Sequence, residues 1–303
     1  MKNPYTNGWL AEQERGDIAA LFGSPNDNLN VVSESEAMTK IRESAERPVS
    51  THPWTMAEVL HNTQELSYKR LTVFNQDANN CAGHATSKAV DAFMLISKWL
   101  RTRRELVPFE TYVPWIWGVG KNEAGRPGTD GATMGEMLSM VVKHGVLPTD
   151  TPGLPPYKGT SNKWAAKFGR NAQNAPYSKF RSVAKQYMIT AAQLPKDDEA
   201  FYLACKAGYT VAFGTSQCIQ MSGNGFHRVW KAKGGWMHAM AAYGYNDELD
   251  AVGIDNSHGD GFAWATCDVL KSVVTKARFF DAFVILDITP RQAEADWSVT
   301  GRN

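Results

Sequence analysis

The run Asn75-Gln76-Asp77-Ala78-Asn79-Asn80-Cys81-Ala82-Gly83-His84 constrains this chain more than any other. From Cys81 onward Ala85, Ala89, Ala92, Phe93, Ile96 and Leu100 recur every three to four positions, while Ser87, Lys88, Asp91 and Lys98 fall off that stripe. The spacing predicts an amphipathic helix from Cys81 to about Arg103. The polar run before it reads as a loop, so Cys81 stands at a helix N-terminus, where orphan N–H groups and the helix dipole favour an anion. A thiolate is such an anion, and a cysteine so placed can titrate in the range of about 3.5–7.5 when a histidine is near. On these residues alone, a small buried side chain opening a core helix explains Cys81 equally well.

With 303 residues, the chain can bury a full core as one two-lobed unit or as two small domains with a tail. The hydrophobic share of 43% and charged share of 21% exclude disorder throughout. A net charge of +1 gives no reason to expect nucleic acid or a membrane as the main partner. The four cysteines, Cys81, Cys205, Cys218 and Cys267, form no C-x-x-C pair and no dense framework, which fits a reducing compartment. No apolar run approaches the roughly 18 residues of a membrane helix. Met1 to Gly8 lacks the apolar core of a signal peptide, so a cytoplasmic protein is expected.

Residues 1–60 are polar and acid-rich and read as an N-terminal extension, with a short helix expected around Leu10–Phe22. Such a segment is either a solvated tail or an arm that docks on something, and a chain without residues 1–50 is expected to keep a folded core. Residues 61–207 carry the helical signals. Val107 to Gly131 reads as irregular. Thr133 and Glu136 then form a capping box, Met134, Met137, Leu138, Val141 and Val142 make a buried stripe, and Gly145 sits where a C-terminal cap belongs. From Thr151 to Lys196 there is no acidic residue, which suits an anionic partner, the acidic arm, or plain solvent. A helix around Asp197–Lys206 stops at Gly208. Residues 208–303 change character: Tyr209–Thr215, Trp236–Tyr245, Ala251–Asp255, Gly261–Ala265 and Phe279–Ile288 read as strands separated by Gly, Asn and Asp. Helices first and strands later point to an α+β protein.

A thiolate nucleophile needs a base to take its proton and a third group to orient that base. The β-rich half offers His238 in Trp236-Met237-His238-Ala239-Met240-Ala241-Ala242-Tyr243-Gly244-Tyr245, and then Asn256 in Gly253-Ile254-Asp255-Asn256-Ser257-His258-Gly259-Asp260-Gly261. Singly, the first is more often a core histidine and the second only a turn. In this order and at these separations, the segments resemble the papain-like cysteine peptidases of bacterial or phage type. The family's glutamine, cysteine, histidine and asparagine fall on Gln76, Cys81, His238 and Asn256. Thr129-Asp130-Gly131 resembles the segment that binds substrate backbone, and Phe279 to Ile285 the closing strand.

The resemblance covers residues 70–288 and implies a two-lobed fold, helical lobe plus antiparallel β-rich lobe, with the site in the cleft between them. It implies Cys81 as nucleophile, His238 as base, Asn256 orienting the ring, Gln76 helping to hold the oxyanion, and Asp130, Gly131 and Met237 contacting substrate. No metal or organic cofactor is implied, and the partner is a peptide or protein. The chain also departs from the pattern. Gln76 stands five residues before Cys81, one fewer than usual, and His258 occupies the place of a tryptophan that shields the Asn–His bond. Two alternatives therefore stay open: a papain-like structural or adaptor part of a larger assembly such as a virus particle, with weak or lost activity, and a cell-wall peptide hydrolase or amide-transfer enzyme using Asp255. A zinc site built from Cys81 and His84 lacks a second ligand pair in the sequence.

Overall fold

The computed structural model describes residues 32–46, 79–101, 109–127, 129–157, 165, 167–169, 178–223, 229–246, 248–257 and 261–290. Gln76, His258 and the segment Leu10–Phe22 lie outside them. In chain order the elements are α1 (Glu34–Glu46), α2 (Cys81–Arg101), α3 (Val113–Glu123), α4 (Met134–His144), α5 (Ser178–Ala184), β1 (Tyr187–Gln193), α6 (Asp198–Lys206), β2 (Thr210–Ser222), β3 (Val229–Asn246), β4 (Ala251–Asn256), β5 (Gly261–Thr266), α7 (Cys267–Val273) and β6 (Phe280–Pro290).

The long helix α2 is the spine. Its apolar stripe, Ala85, Ala89, Ala92, Phe93 and Ile96, is buried, and it packs against α3 and α4 on one side and β2 and β3 on the other. Ser87, Lys88 and Asp91, off that stripe and so expected at the solvent, are buried as well. The helix lies between two layers, so even its polar side is enclosed. α3 falls within the stretch that reads as irregular. Every residue from Val113 to Lys121 is buried, and a helix apolar all round shows no periodicity to read. Gly118 lets it approach residues 165–169: a Cβ there would lie 2.1 Å from the carbonyl oxygen of Ala165.

α4 forms as its sequence dictates. Thr133 accepts from the Glu136 amide while the Glu136 side chain accepts from Thr133, and Gly145 ends the helix at φ +73. Asp197 caps α6 with a single bond, its carboxylate accepting from the Glu199 amide.

The β layer is one six-stranded sheet in the order β1-β6-β2-β3-β4-β5, with antiparallel neighbours. It curls until Val229, at the start of β3, meets Trp264 of β5. Strand β2 runs on to Ser222, well past Thr215. Strand β1 comes from the chain section read as helical, and it pairs with β6 far down the chain. Part of the acidic N-terminal segment also belongs to the core. Helix α1 buries Ala37, Met38 and Ile41 against β1 and α6, the Val32 amide donates to the Ala191 carbonyl (3.1 Å), and Ser44 Oγ meets Tyr209 OH (3.1 Å). It docks through an apolar stripe, not through its charges. Among the described residues no helix is long and apolar enough to cross a membrane.

Candidate active site

Cys81 is the first residue of α2. The carbonyl of Asn80 accepts from the amides of Gly83 (3.0 Å) and His84 (3.2 Å), which starts the helix, and Asn80 Nδ2 donates to Tyr157 OH (2.9 Å). Tyr157 OH in turn lies 3.3 Å from His84 Nε2. From Cys81, the residues His84, Lys88 and Asp91 follow at three- and four-residue steps, so all four share one face of the helix. All four are buried.

That face meets β3 and β4. His238 is fully buried on β3, and its Nε2 lies 2.8 Å from Asn256 Oδ1 at the end of β4. A carbonyl oxygen only accepts, so Nε2 carries the proton and Nδ1 is the basic nitrogen. The next amide on β3, that of Ala239, reaches the Cys81 sulfur, so the start of α2 lies against β3 next to His238. Asp255, one residue earlier on β4, faces the same helix at Lys88. Its carboxylate takes the hydroxyl of Tyr243 (2.5 Å) and faces Lys88 Nζ (3.6 Å), so Asn256, not Asp255, is the group on the imidazole.

The thiol does not have the lowered pKa that its place at a helix N-terminus led us to expect. Burial pushes Cys81 up to about 12; the backbone amides of Ala239, Ala82 and Cys81 itself pull it down only in part. Desolvating a charge outweighs a few oriented dipoles. On the same face, burial raises Asp91 to about 7 against the opposing pull of Thr111 and Lys88.

Of the candidate substrate residues, Gly131 and Asp130 are tied to Asn79, two residues before Cys81. The Gly131 amide donates to the carbonyl of Asn79 (3.2 Å), and its own carbonyl accepts from Lys121 Nζ, a buried ammonium that also holds Thr129 Oγ1 (2.7 Å). The backbone of Gly131, at φ +72, is thus already engaged, and a peptide would have to exchange for these bonds. Asp130 is exposed and accepts from Asn79 Nδ2 (3.4 Å). Met237 is half-buried and directly precedes His238 on β3, where the ladder with β2 slips.

Two features escaped the sequence reading. Trp236 lies against the His238 ring, centroids 4.5 Å apart, covering the imidazole from its own strand. A two-residue step on one strand is the signal that could have found it. The second is the Lys88–Asp255 pair, which joins segments 167 residues apart and leaves no local pattern. Among the described residues no group of three or more His, Cys, Asp or Glu is placed to hold a metal ion.

No family model and no curated relative matches the sequence. Solved structures do. Xylellain, a cysteine protease from Xylella fastidiosa, is 17% identical over 96% of this chain and 99% of its own, with a TM-score of 0.53. The proform of the ragweed pollen cysteine protease Amb a 11 is 19% identical over 72% of this chain and 62% of its own (TM-score 0.47). Procathepsin B S9 from Trypanosoma congolense is 12% identical over 95% and 87% (TM-score 0.48). The helices and the antiparallel sheet, arranged as in xylellain, give this chain the papain-like α+β fold.

Proposed function

We propose that this chain is a cysteine peptidase that cleaves peptide bonds through an acyl-enzyme on Cys81. One observation carries the reading: the Cys81 sulfur meets the amide next to His238, while Nε2 of that histidine is held by Asn256 at 2.8 Å. That arrangement supports the division of labour of a thiol hydrolase. Nδ1 of His238 takes the thiol proton as the sulfur attacks the substrate carbonyl. The oxyanion that forms is held by the Cys81 amide at the start of α2, where first-turn N–H groups have no partner within the helix. Gln76 is the second donor that the family resemblance suggests. Collapse expels the amine, which takes the proton back from His238. Water then attacks the thioester with His238 again as base, releasing the acid and regenerating the thiol. No cofactor enters any step.

The test is Cys81→Ala, expected to abolish hydrolysis of a peptide library while the melting temperature holds. Unchanged turnover in that variant ends the peptidase reading. A second reading, a papain-like structural component with weak or no activity, is favoured by the complete burial of both Cys81 and His238. Iodoacetamide labelling of the native protein from about pH 5 to about pH 9, mapped by mass spectrometry, separates the two. Labelling of Cys81 in the native protein that His238→Ala slows belongs to a peptidase. Labelling only after denaturation belongs to the structural component.

A further inference from the structure

The mechanism above uses Cys81, His238 and Asn256, and leaves a buried charge pair behind them unexplained. Lys88 and Asp255 are 3% and 6% exposed, with Nζ and Oδ2 3.6 Å apart. Asp255 Oδ2 also accepts from Tyr243 OH at 2.5 Å, and Tyr243 is itself buried. Two apolar side chains of the same size would fill that space at a lower desolvation cost, so the pair is poorly accounted for as a source of stability. Its location suggests another role. Lys88 stands two helical turns from the nucleophile on the same rigid helix, about 10 Å along its axis. Asp255 immediately precedes the residue that holds the catalytic imidazole. The pair therefore ties the element carrying Cys81 to the strand end carrying Asn256.

A cavity of about 10 Å³, room for a single water, lies beside that strand end and is lined among others by His84, Lys88, Asp255, Asn256 and Ser257, so both members of the pair and the imidazole's partner border one small polar space. We propose that Lys88 and Asp255 are positioning residues. Their ion pair, seated by the Tyr243 hydroxyl, fixes the end of β4 against α2, so that Asn256 meets His238 at the angle that keeps its Nδ1 toward Cys81. This inference rests on the peptidase reading for its purpose, though not for its test.

The decisive variant is Lys88→Met with Asp255→Asn. It removes both charges, keeps the side-chain sizes, and leaves an amide oxygen to accept from Tyr243. In ¹⁵N-labelled wild-type protein, the His238 Nε2–H held by Asn256 should give a downfield, exchange-protected proton resonance, assigned by its loss in His238→Ala. In the double variant that resonance should broaden or disappear, and kcat should fall at least tenfold with KM and melting temperature little changed. An unchanged resonance overturns the proposal. Should the double variant not fold, Tyr243→Phe takes the hydroxyl from Asp255 while keeping the ring, and the same resonance should weaken; persistence at full intensity again overturns it. A wild-type protein that cleaves no peptide sinks the peptidase reading, while the resonance still decides whether the pair positions the ring.

Discussion

At the scale of single residues, members of the candidate site could be named from the chain because the chemistry proposed for it is tied to residue type. A cysteine at a helix start, a histidine among small residues and an asparagine in a glycine-bearing turn can be named from the chain, and the fold brings Cys81, His238 and Asn256 together. What the chain does not display is their environment. Whether a thiol is lowered by a helix or raised by burial depends on everything packed around it, and here burial wins. Trp236 illustrates the same point. The tryptophan expected after the asparagine is absent, yet an indole covers the imidazole from two residues upstream. Replacing it, Trp236→Leu, should expose the His238–Asn256 bond to competing water. A loss of about 1–2 kcal/mol, roughly tenfold in kcat/KM, is expected. Trp236→Phe should recover most of it. Equal turnover in wild type and Trp236→Leu would leave the indole a mere surface residue.

Elements were legible where a terminus or a period announced them. The capping box at Thr133 and the glycine at 145 mark α4 at both ends, and the stripe from Ala85 marks α2. α3 is announced only by Pro114 in its first turn: all its residues from 113 to 121 are buried, so no period shows, and Gly118 and Gly120 lower its helix propensity. The geometry at Gly118 makes its lack of a side chain a requirement. Gly118→Ala should destabilise the protein by at least about 2–3 kcal/mol, because the added carbon meets backbone on residues 165–169, which cannot swing aside. Urea unfolding measures this. Helix α1 was hidden for a different reason, since its apolar residues Ala37, Met38 and Ile41 are too few among acids to stand out. They are nonetheless buried, Ile41 completely, so Ile41→Ala should cost about 2–4 kcal/mol. A near-zero change would mean that the segment is only a loose arm.

For the whole molecule, the main consequence is a polar seam running between the helical and β layers. Cys81, His84, Lys88 and Asp91 face Tyr243, Asp255 and Asn256 across it, and this ties stability to pH. Burial raises Asp91 from 3.8 to about 7. Its contribution is therefore fully present below about pH 4 and is lost as the pH rises through about 7. Glu123 is lowered, first by its hydrogen bond to His144, to about 2. What it adds is present above about pH 4.5 and lost as the pH falls toward 2. Together these put the stability maximum near about pH 4, where the gain from Glu123 is nearly complete and the loss from Asp91 begins. Thermal melts across pH 4 to pH 8 should show a declining melting temperature. Asp91→Asn, which keeps an oxygen to accept from the Thr111 amide, should flatten that decline. An unchanged slope would assign the pH dependence to other groups.

The position of β6 in the sheet bears on how the protein is made. Strand β6, residues 280–290, lies between β1 and β2, and Asp281 on it accepts from the Met134 amide at the start of α4 (3.3 Å). On a ribosome, β1 and β2 emerge long before the strand that joins them, and each must wait with a bare hydrogen-bonding edge. The site residues up to Asn256 are all synthesised by then, yet the sheet that carries them stays open until the last strand inserts. A nascent chain stalled before residue 280 should thus be captured by chaperones and cut by proteases, and the few residues of β6 should convert it in one step into a resistant particle.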